Sequence, residues 1–214
     1  VGTGKGAMLG VLIKNAEALE VMEKVDTVVV DKTGTLTEGK PKLVNVAALD
    51  GFQEDIILCL AASLERASEH PLAEAIVQGA ELRKVTLKHA DNFQSITGKG
   101  VTGRVDNHTV ALGNLSLFQS LNIDARNLSQ QADKHRSEGQ TVMLLAIDGI
   151  AAGILGVADP IKDSTPEAIR ELHQEGIRIV MLTGDNQITA EAVARKLNID
   201  QVQADVLPEQ KAET

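Results

Sequence analysis

Residues 25–39, VDTVVVDKTGTLTEG, join an apolar run to a polar, hydroxyl-rich turn. Four β-branched residues, Thr27–Val30, lead into a carboxylate at Asp31, and the turn-prone segment Lys32–Thr35 follows. A continuous apolar run that ends in a polar turn is typical of a strand that is buried on both faces of a parallel sheet. The stretch therefore predicts a buried strand that delivers Asp31 to a polar loop.

The same strand-to-turn pattern recurs near the end of the chain, where residues 177–185 read IRIVMLTGD. A helix is predicted from Ser164 to the glycine at 176, because Ser164 and Glu167 have capping-box spacing and Pro166 suits a first turn. Another helix is predicted to begin at Asn186, and a third short strand is predicted at residues 202–204. These elements indicate an α/β domain built on a parallel sheet.

The middle of the chain follows a different pattern, which indicates an inserted α+β domain. Helices are predicted at 54–66 and 71–84, and hairpins at 101–113 and 141–157, the first around Asp106-Asn107 and the second around Asp148-Gly149. We therefore predict that residues 1–40 and 156–214 together form the α/β domain, and that residues 41–155 form the insert.

Composition excludes several classes of function. The chain has 214 residues and a formal net charge of −9 without a basic patch or an aromatic platform, so a nucleic-acid partner is not expected. Cys59 is the single cysteine and cannot form an intramolecular disulfide. The longest apolar run, at 150–158, is far shorter than the roughly 18–20 residues that span a bilayer.

Because the chain begins at Val1 in mid-pattern, we expect a fragment of a larger protein.

The two strand ends suggest chemistry on a phosphate. In open α/β sheets the ligand lies beyond the carboxyl ends of the strands, where Asp31 and Asp185 both stand. Residues 183–186, TGDN, open a helix whose first N–H groups favour an anion. A carboxylate at such a corner suggests phosphoryl transfer onto the carboxylate itself, with Lys211 neutralising the transferred oxygens. The alternative is an Asp that only begins a turn, but DKTGTLT is too specific a heptapeptide for that interpretation.

The motifs DKTGTLT at 31–37 and TGDN at 183–186 resemble those of the phosphorylation domain of P-type ATPases, within the haloacid dehalogenase-like superfamily. The resemblance implies that Asp31 accepts the γ-phosphate of ATP, and that Asp31 and the backbone carbonyl of Thr33 hold Mg²⁺. The catalytic residues that it implies are Asp31, Lys32, Thr33, Thr183, Gly184, Asp185 and Lys211. DPIK at 159–162 is similar to the segment with which the chain of this family re-enters the phosphorylation domain.

One motif of the family is expected beyond Thr214. The acidic motif GDGxND supplies a further Mg²⁺ ligand and another strand in the family, and it does not occur in this sequence. The resemblance therefore implies an incomplete phosphorylation domain, and we expect that the chain does not turn over ATP alone.

Four short motifs in the insert have ordinary structural interpretations when each is taken alone. They are a His-Pro pair at a helix boundary, a Gly-x-Gly in a turn, a Gly-Asn at a strand end and a Glu on a helix face. Together they resemble the nucleotide-binding domain of heavy-metal-transporting P-type ATPases. The resemblance implies that ATP contacts Glu65, His70, Pro71, Gly98, Gly100, Gly113 and Asn114. Because the chain has no Trp or Tyr, His70 gains importance as the adenine contact.

Two further segments favour a copper exporter. VGTGKGAMLGVLIKNAEALE at 1–20 and SEHPLAEAIV at 68–77 are most similar to the copper-exporting branch, with silver open and zinc or cadmium less similar. GTGKG at 2–6 lacks the ending of a phosphate-binding P-loop, and in this family the segment leads from a membrane helix. The resemblance implies the cytoplasmic part of an integral membrane protein, with ATP, a transmembrane domain with Cu(I) sites and an actuator domain as partners. We expect the chain itself to be monomeric.

Two alternative functions stay open from the sequence. A soluble phosphatase of the same superfamily predicts a second Asp two residues after the nucleophile, where this chain has Thr33. A nucleotide-binding module without catalysis of its own is the other alternative, because the second acidic motif does not occur in the sequence.

Overall fold

A computed structural model of the chain describes Met8, Gly10 and residues 16–206. Its helices are α1 (Ala16–Met22), α2 (Glu54–Glu65), α3 (Pro71–Leu82), α4 (Leu115–Ser120), α5 (Arg126–Ser137), α6 (Thr165–Gln174) and α7 (Gln187–Leu197). Its strands are β1 (Thr27–Asp31), β2 (Lys42–Ala48), β3 (Ala90–Ile96), β4 (Gly100–Val105), β5 (His108–Gly113), β6 (Thr141–Ile147), β7 (Ile150–Ala158), β8 (Arg178–Leu182) and β9 (Gln201–Gln203). The predictions for GTGKG at 2–6 and for Lys211 lie outside the described residues. Within those residues, no helix has the length and apolar character needed to cross a bilayer.

A three-stranded parallel sheet is formed by β1, β8 and β9, in that order. Thr27 is aligned with Arg178 and Asp31 with Leu182, so β1 and β8 end side by side. The apolar core of this unit includes Met181 from β8 and Val193 from α7. The prediction of an α/β fold with a parallel sheet is confirmed.

The prediction that the first strand is buried on both faces is wrong. Val28 and Val30 of β1 are half-buried, but Val29 is 46% exposed. By contrast, residues 179–182 of β8 are all buried. Val30 packs against the apolar core that includes Met181, whereas Val29, the next residue along the strand, points to the opposite face of the sheet.

A six-stranded antiparallel sheet, in the order β2–β7–β6–β5–β4–β3, is formed by the middle of the chain. Both predicted hairpins are present, with turns at Asp106-Asn107 and Asp148-Gly149. Both aspartates have positive φ, +58° and +52°, a conformation that Asp tolerates better than most residues. Side chains alternate between the two faces of the sheet. One face packs on α2 and α3 and the other on α4 and α5, so the helices enclose the sheet on both sides.

The beginning of α6 differs from the predicted capping box. Ser164 is the N-cap residue, but its side chain makes no cap hydrogen bond with the helix. A capping side chain normally needs an extended N-cap backbone, and Ser164 has φ −77° and ψ −18°. The capping box with Glu167 is therefore wrong. Thr165 instead ties the helix to the loop after β1, because its hydroxyl donates to the carbonyl of Leu36 at 2.8 Å.

The chain passes between the two sheets at two adjacent segments. The Glu38 N–H donates to the Pro160 carbonyl at 2.8 Å, and Thr37 forms an antiparallel bridge with Ile161. Strand β7 continues to Ala158, past the predicted boundary at residue 155. The division into residues 1–40, 41–155 and 156–214 stays a prediction.

Candidate active site

Asp31 lies at the point where the two longer strands of the parallel sheet end. It is the last residue of β1 and is aligned with Leu182, the last residue of β8. The residues that follow, Lys32 and Thr183, are only 7% and 2% exposed. The motifs DKTGTLT and TGDN therefore meet at one edge of the sheet.

A buried ion pair lies directly beside Asp31. Lys32 Nζ donates to Asp185 Oδ2, and the two side chains are 8% and 14% exposed. Thr141, from the six-stranded sheet, donates its hydroxyl to Asp185 Oδ1 at 3.0 Å. Burial of both charges is tolerated because they neutralise each other and Asp185 has a second hydrogen bond. The pair brings Lys32 and Asp185 of the predicted catalytic set into contact.

The TGDN segment turns the chain from β8 into α7. Asn186 caps the helix, since its Oδ1 accepts the N–H of Thr189 at 3.1 Å. The Asp185 N–H donates to Thr183 Oγ1, also at 3.1 Å. The Thr183 hydroxyl acts here as an acceptor, so its own proton can be donated to a ligand oxygen. Together with the N-terminus of α7, this favours an anion next to Gly184.

Asp159 and Lys162 hold the loop that follows Asp31. The Asp159 carboxylate accepts the Thr37 hydroxyl at 2.5 Å and the backbone N–H groups of residues 39 and 40 at 3.2 and 3.0 Å. Lys162 Nζ donates to the carbonyl of Gly34 at 2.6 Å, and Gly34 has the positive φ of +77° that this turn requires. The DPIK motif at 159–162 marks both residues in the sequence, but only as a connection between domains.

The loop that begins at Glu65 lines an open pocket in the insert. Glu65 is 3% exposed, and its Oε2 has no hydrogen-bond partner. Burial raises the pKa of the Glu65 carboxyl, while a hydrogen bond with Ser68 acts in the opposite direction. The pocket, of about 530 Å³, is lined by Glu65, Arg66, Ser68, Glu69, His70, Glu74, Val77, Gln78 and Glu81. A buried acceptor without a partner at such a pocket suits the amino group of a purine.

His70 combines a structural role with an exposed ring. Its Nδ1 accepts the N–H of Leu72 at 3.2 Å, so His70 is the N-cap of α3. Pro71 occupies the first turn, where the missing N–H leaves no hydrogen bond unmade. Because Nδ1 is an acceptor, the neutral ring carries its proton on Nε2, and that proton can be donated to a ligand.

The remaining predicted nucleotide contacts lie together where β4 begins and β5 ends. Gly100 is aligned with Gly113, and the two backbones approach so closely that a Cβ on Gly100 would lie 2.3 Å from the Leu112 carbonyl oxygen. Asn114 Nδ2 donates to the carbonyl of Gly98 at 2.8 Å. These contacts account for the residue types structurally. The cluster does not line the pocket at Glu65, so the structure leaves the predicted contacts in two groups.

The predicted Mg²⁺ donors are oxygen atoms in one turn, the Asp31 carboxylate and the Thr33 carbonyl. Mg²⁺ prefers oxygen ligands and keeps several waters, so two protein oxygens fit this ion and do not fit a soft metal. In the part of the chain that the structure describes, no group of three or more His, Cys, Asp or Glu side chains could hold a metal ion.

The sequence is similar to those of known proteins over almost its whole length. A family model described as "Hydrolase: haloacid dehalogenase-like hydrolase" matches residues 25–214. The chain is 57% identical over 212 residues to a copper-exporting P-type ATPase of Legionella pneumophila and 56% identical over 211 residues to a copper-transporting P-type ATPase of Rhizobium leguminosarum. It is 50% identical over 211 residues to a silver exporting P-type ATPase of Salmonella typhimurium. Each alignment covers 99% of this chain but only 29%, 25% and 26% of the respective relative.

Solved structures are also similar over almost the whole chain. A zinc-transporting PIB-type ATPase in the E2.Pi state matches with a TM-score of 0.74 and 33% identity, over 99% of this chain and 34% of that chain. The catalytic domain of the CPx-ATPase CopB-B, studied for its conformational changes upon nucleotide binding, matches with a TM-score of 0.70 and 25% identity. That match covers 99% of this chain and 73% of the other.

Proposed function

Because the chain belongs to the haloacid dehalogenase-like hydrolase family, we propose that it is the ATP-binding and phosphorylation unit of a copper-exporting P-type ATPase. The observation that carries the proposal is the meeting of DKTGTLT and TGDN at one edge of the parallel sheet. There a nucleophilic carboxylate, Asp31, ends its strand beside the TGDN segment, whose helix N-terminus and Thr183 hydroxyl favour an anion. These are the groups that transfer of a phosphoryl group to a carboxylate requires.

In the proposed reaction, an Asp31 carboxylate oxygen attacks the γ-phosphorus of ATP. The bond from this phosphorus to the bridging oxygen of ADP breaks, and its electron pair leaves with ADP. No proton has to be moved, because the carboxylate attacks in its ionised form. Thr183 donates its hydroxyl to a phosphate oxygen, and Lys211 neutralises the charge on the transferred group. Mg²⁺, when bound by Asp31 and Thr33, supplies further positive charge against the phosphate oxygens.

Thr33 favours an intermediate that persists over a phosphatase reaction. A phosphatase of this superfamily is expected to have a general acid two residues after its nucleophile, and here that residue is Thr33. A threonine hydroxyl does not act as a general acid near neutral pH. The acyl phosphate on Asp31 is therefore expected to survive long enough to drive transport.

The insert is proposed to bind the nucleotide. Glu65 accepts a hydrogen bond from the adenine amino group, and His70 contacts the base through its exposed ring. Ribose or phosphate contacts the backbone at Gly98, Gly100 and Gly113. A Cβ on Gly98 would meet no atom within 4 Å, so this side of the backbone is open to a ligand, and Asn114 holds the loop through the Gly98 carbonyl. The unpartnered oxygen of the buried Glu65 supports this assignment.

The transported metal and the remaining parts of the protein are proposed from the relatives. Two relatives at 57% and 56% identity are named for copper, whereas the one named for silver is at 50%. We propose Cu(I) as the transported ion, and a transmembrane domain and an actuator domain as further parts of the protein. This chain is proposed to be monomeric and to lie in the cytoplasm. The chain spans less than a third of the length of these relatives.

The test is incorporation of radiolabel from γ-labelled ATP. A chain extended beyond Thr214 to include a GDGxND motif should incorporate an acid-stable label that alkali and hydroxylamine remove, as expected of an acyl phosphate. Asp31→Asn should abolish the label, because an amide is a poor nucleophile, and the matched control Asp26→Asn should retain it. Equal labelling of Asp31→Asn and the parent would contradict the proposal. The 214-residue chain should bind ATP but incorporate little label.

A further inference from the structure

Thr141 is a residue of the six-stranded sheet that reaches the site beside Asp31. It begins β6, and its hydroxyl donates to Asp185 Oδ1 at 3.0 Å. The other oxygen, Oδ2, accepts from Lys32 Nζ. Each oxygen of Asp185 therefore has its own side-chain donor, one from the residue after Asp31 and one from the insert.

The loop before Thr141 is fastened to α7 by two further hydrogen bonds. The Gln140 carbonyl accepts the Thr189 hydroxyl at 2.9 Å, and the Glu138 carbonyl accepts from Lys196 Nζ at 2.6 Å. Positions seven apart on a helix lie two turns apart on the same face, so both donors come from one side of α7. The insert is thus docked along this side of α7, and Thr141 lies at the end of the contact nearest to the phosphate corner.

From this geometry we infer that Thr141 is a positioning residue of the phosphorylation site, an inference that rests on the proposed function. Donors on both oxygens fix the plane of the Asp185 carboxylate and, through it, the position of the Lys32 ammonium. Thr141 supplies its donor only while the insert is docked on α7. The arrangement beside Asp31 therefore depends on the position of the domain that is proposed to carry ATP.

A neutral donor is suited to this role. A hydroxyl orients the Asp185 carboxylate without cancelling its charge, so the full attraction between Asp185 and Lys32 is kept. An ammonium or guanidinium at position 141 would compete with Lys32 for the same carboxylate. A group without a donor would leave Oδ1 buried with one hydrogen bond fewer.

The test compares Thr141→Val, Thr141→Ser and a control in the intact transporter. Valine keeps the shape of threonine and removes the hydroxyl, and serine restores it. The control is Thr109→Val in β5, because the Thr109 hydroxyl makes no hydrogen bond with the described residues. We expect Thr141→Val to transfer γ-phosphate to Asp31 about tenfold more slowly with an unchanged KM for ATP, since a hydrogen bond to a charged group is lost. Thr141→Ser and Thr109→Val should retain the parental rate.

A second variant tests the docking itself. Lys196→Met removes the donor to the Glu138 carbonyl far from Asp31 and should also slow the transfer, by a smaller factor than Thr141→Val. A parental rate in Thr141→Val, a Thr141→Ser rate as low as that of Thr141→Val, or a parental rate in Lys196→Met would overturn the inference. If the parent itself incorporated no label, the proposed function would be overturned as well, so the two failures are distinguishable.

Discussion

The buried Lys32–Asp185 pair makes a measurable prediction for stability. An exposed ion pair contributes roughly 0–1 kcal/mol. Here the side chains are 8% and 14% exposed, so removing one partner leaves a desolvated charge, which costs about 3–5 kcal/mol. We expect Lys32→Met to lower the free energy of unfolding by about 3 kcal/mol, the lower end, because Asp185 keeps its hydrogen bond from Thr141.

The double variant should cost much less than the sum of its parts. Asp185→Asn should cost about 2 kcal/mol, because the amide oxygen still accepts a hydrogen bond from the Lys32 ammonium. Lys32→Met combined with Asp185→Asn leaves no charge unpaired, so it should also cost about 2 kcal/mol. The expected coupling is therefore about 3 kcal/mol, far above the roughly 0.5 kcal/mol within which independent sites add.

Urea unfolding followed by amide NMR signals measures this cycle. Because the two sheets need not unfold together, signals from β8 report on the parallel sheet and signals from β5 serve as the internal control. The midpoint should shift for β8 and stay unchanged for β5. Additive effects of the two single variants, or a cost below about 1 kcal/mol for each, would refute the argument that the two charges are desolvated and stabilise each other.

Three further predictions concern the insert. Burial raises the pKa of the Glu65 carboxyl, so the folded state still holds a proton at a pH where the unfolded chain has released it. The free energy of unfolding, compared with that of Glu65→Gln, should therefore fall as pH rises from the ordinary carboxyl range through the raised pKa. Urea midpoints measure this change. His70→Gln should weaken ATP binding about three- to tenfold in a heteronuclear NMR titration, since one neutral contact is lost. Gly100→Ala should lower the free energy of unfolding by about 1–3 kcal/mol, because its Cβ would lie 2.3 Å from the carbonyl oxygen of Leu112.

Matched variants control for these effects. Gly100 and Gly51 both have positive φ, +145° and +91°, but a Cβ on Gly51 would meet no atom within 4 Å. Gly51→Ala therefore separates the conformational cost from the steric one. His89→Gln, at another exposed histidine, should leave ATP binding unchanged. Parallel pH curves for the parent and Glu65→Gln would contradict the burial argument. ATP-induced shifts at residues 2–6 in place of His70 and Gly100 would contradict the nucleotide site.

The local sequence pattern was sufficient to predict the elements that do not depend on tertiary contacts. The run of β-branched residues before Asp31 predicted the strand that carries it, and the Asp148-Gly149 turn predicted its hairpin, because both follow from short-range backbone preferences. The prediction of a capping box at Ser164 was wrong because it depends on more than residue type. Capping depends on the backbone angles of Ser164. In the structure Ser164 is helical and the next residue, Thr165, is bonded to Leu36, and neither feature can be read from the residue types.

By itself, the sequence determined the class of the parallel sheet and predicted Asp31, TGDN and the insert motifs as site residues, since each depends on residue types that are close together in the chain. Only the tertiary structure decided which strand faces are covered, because that depends on the elements that pack on them: Met181 is buried against Val193 of α7, whereas Val29 is exposed. It also decided that Thr141 reaches Asp185, 44 residues further along, and that Asp159 holds the loop of Thr37, 122 residues before it. Such contacts form when two sheets dock, and no spacing in the sequence records them.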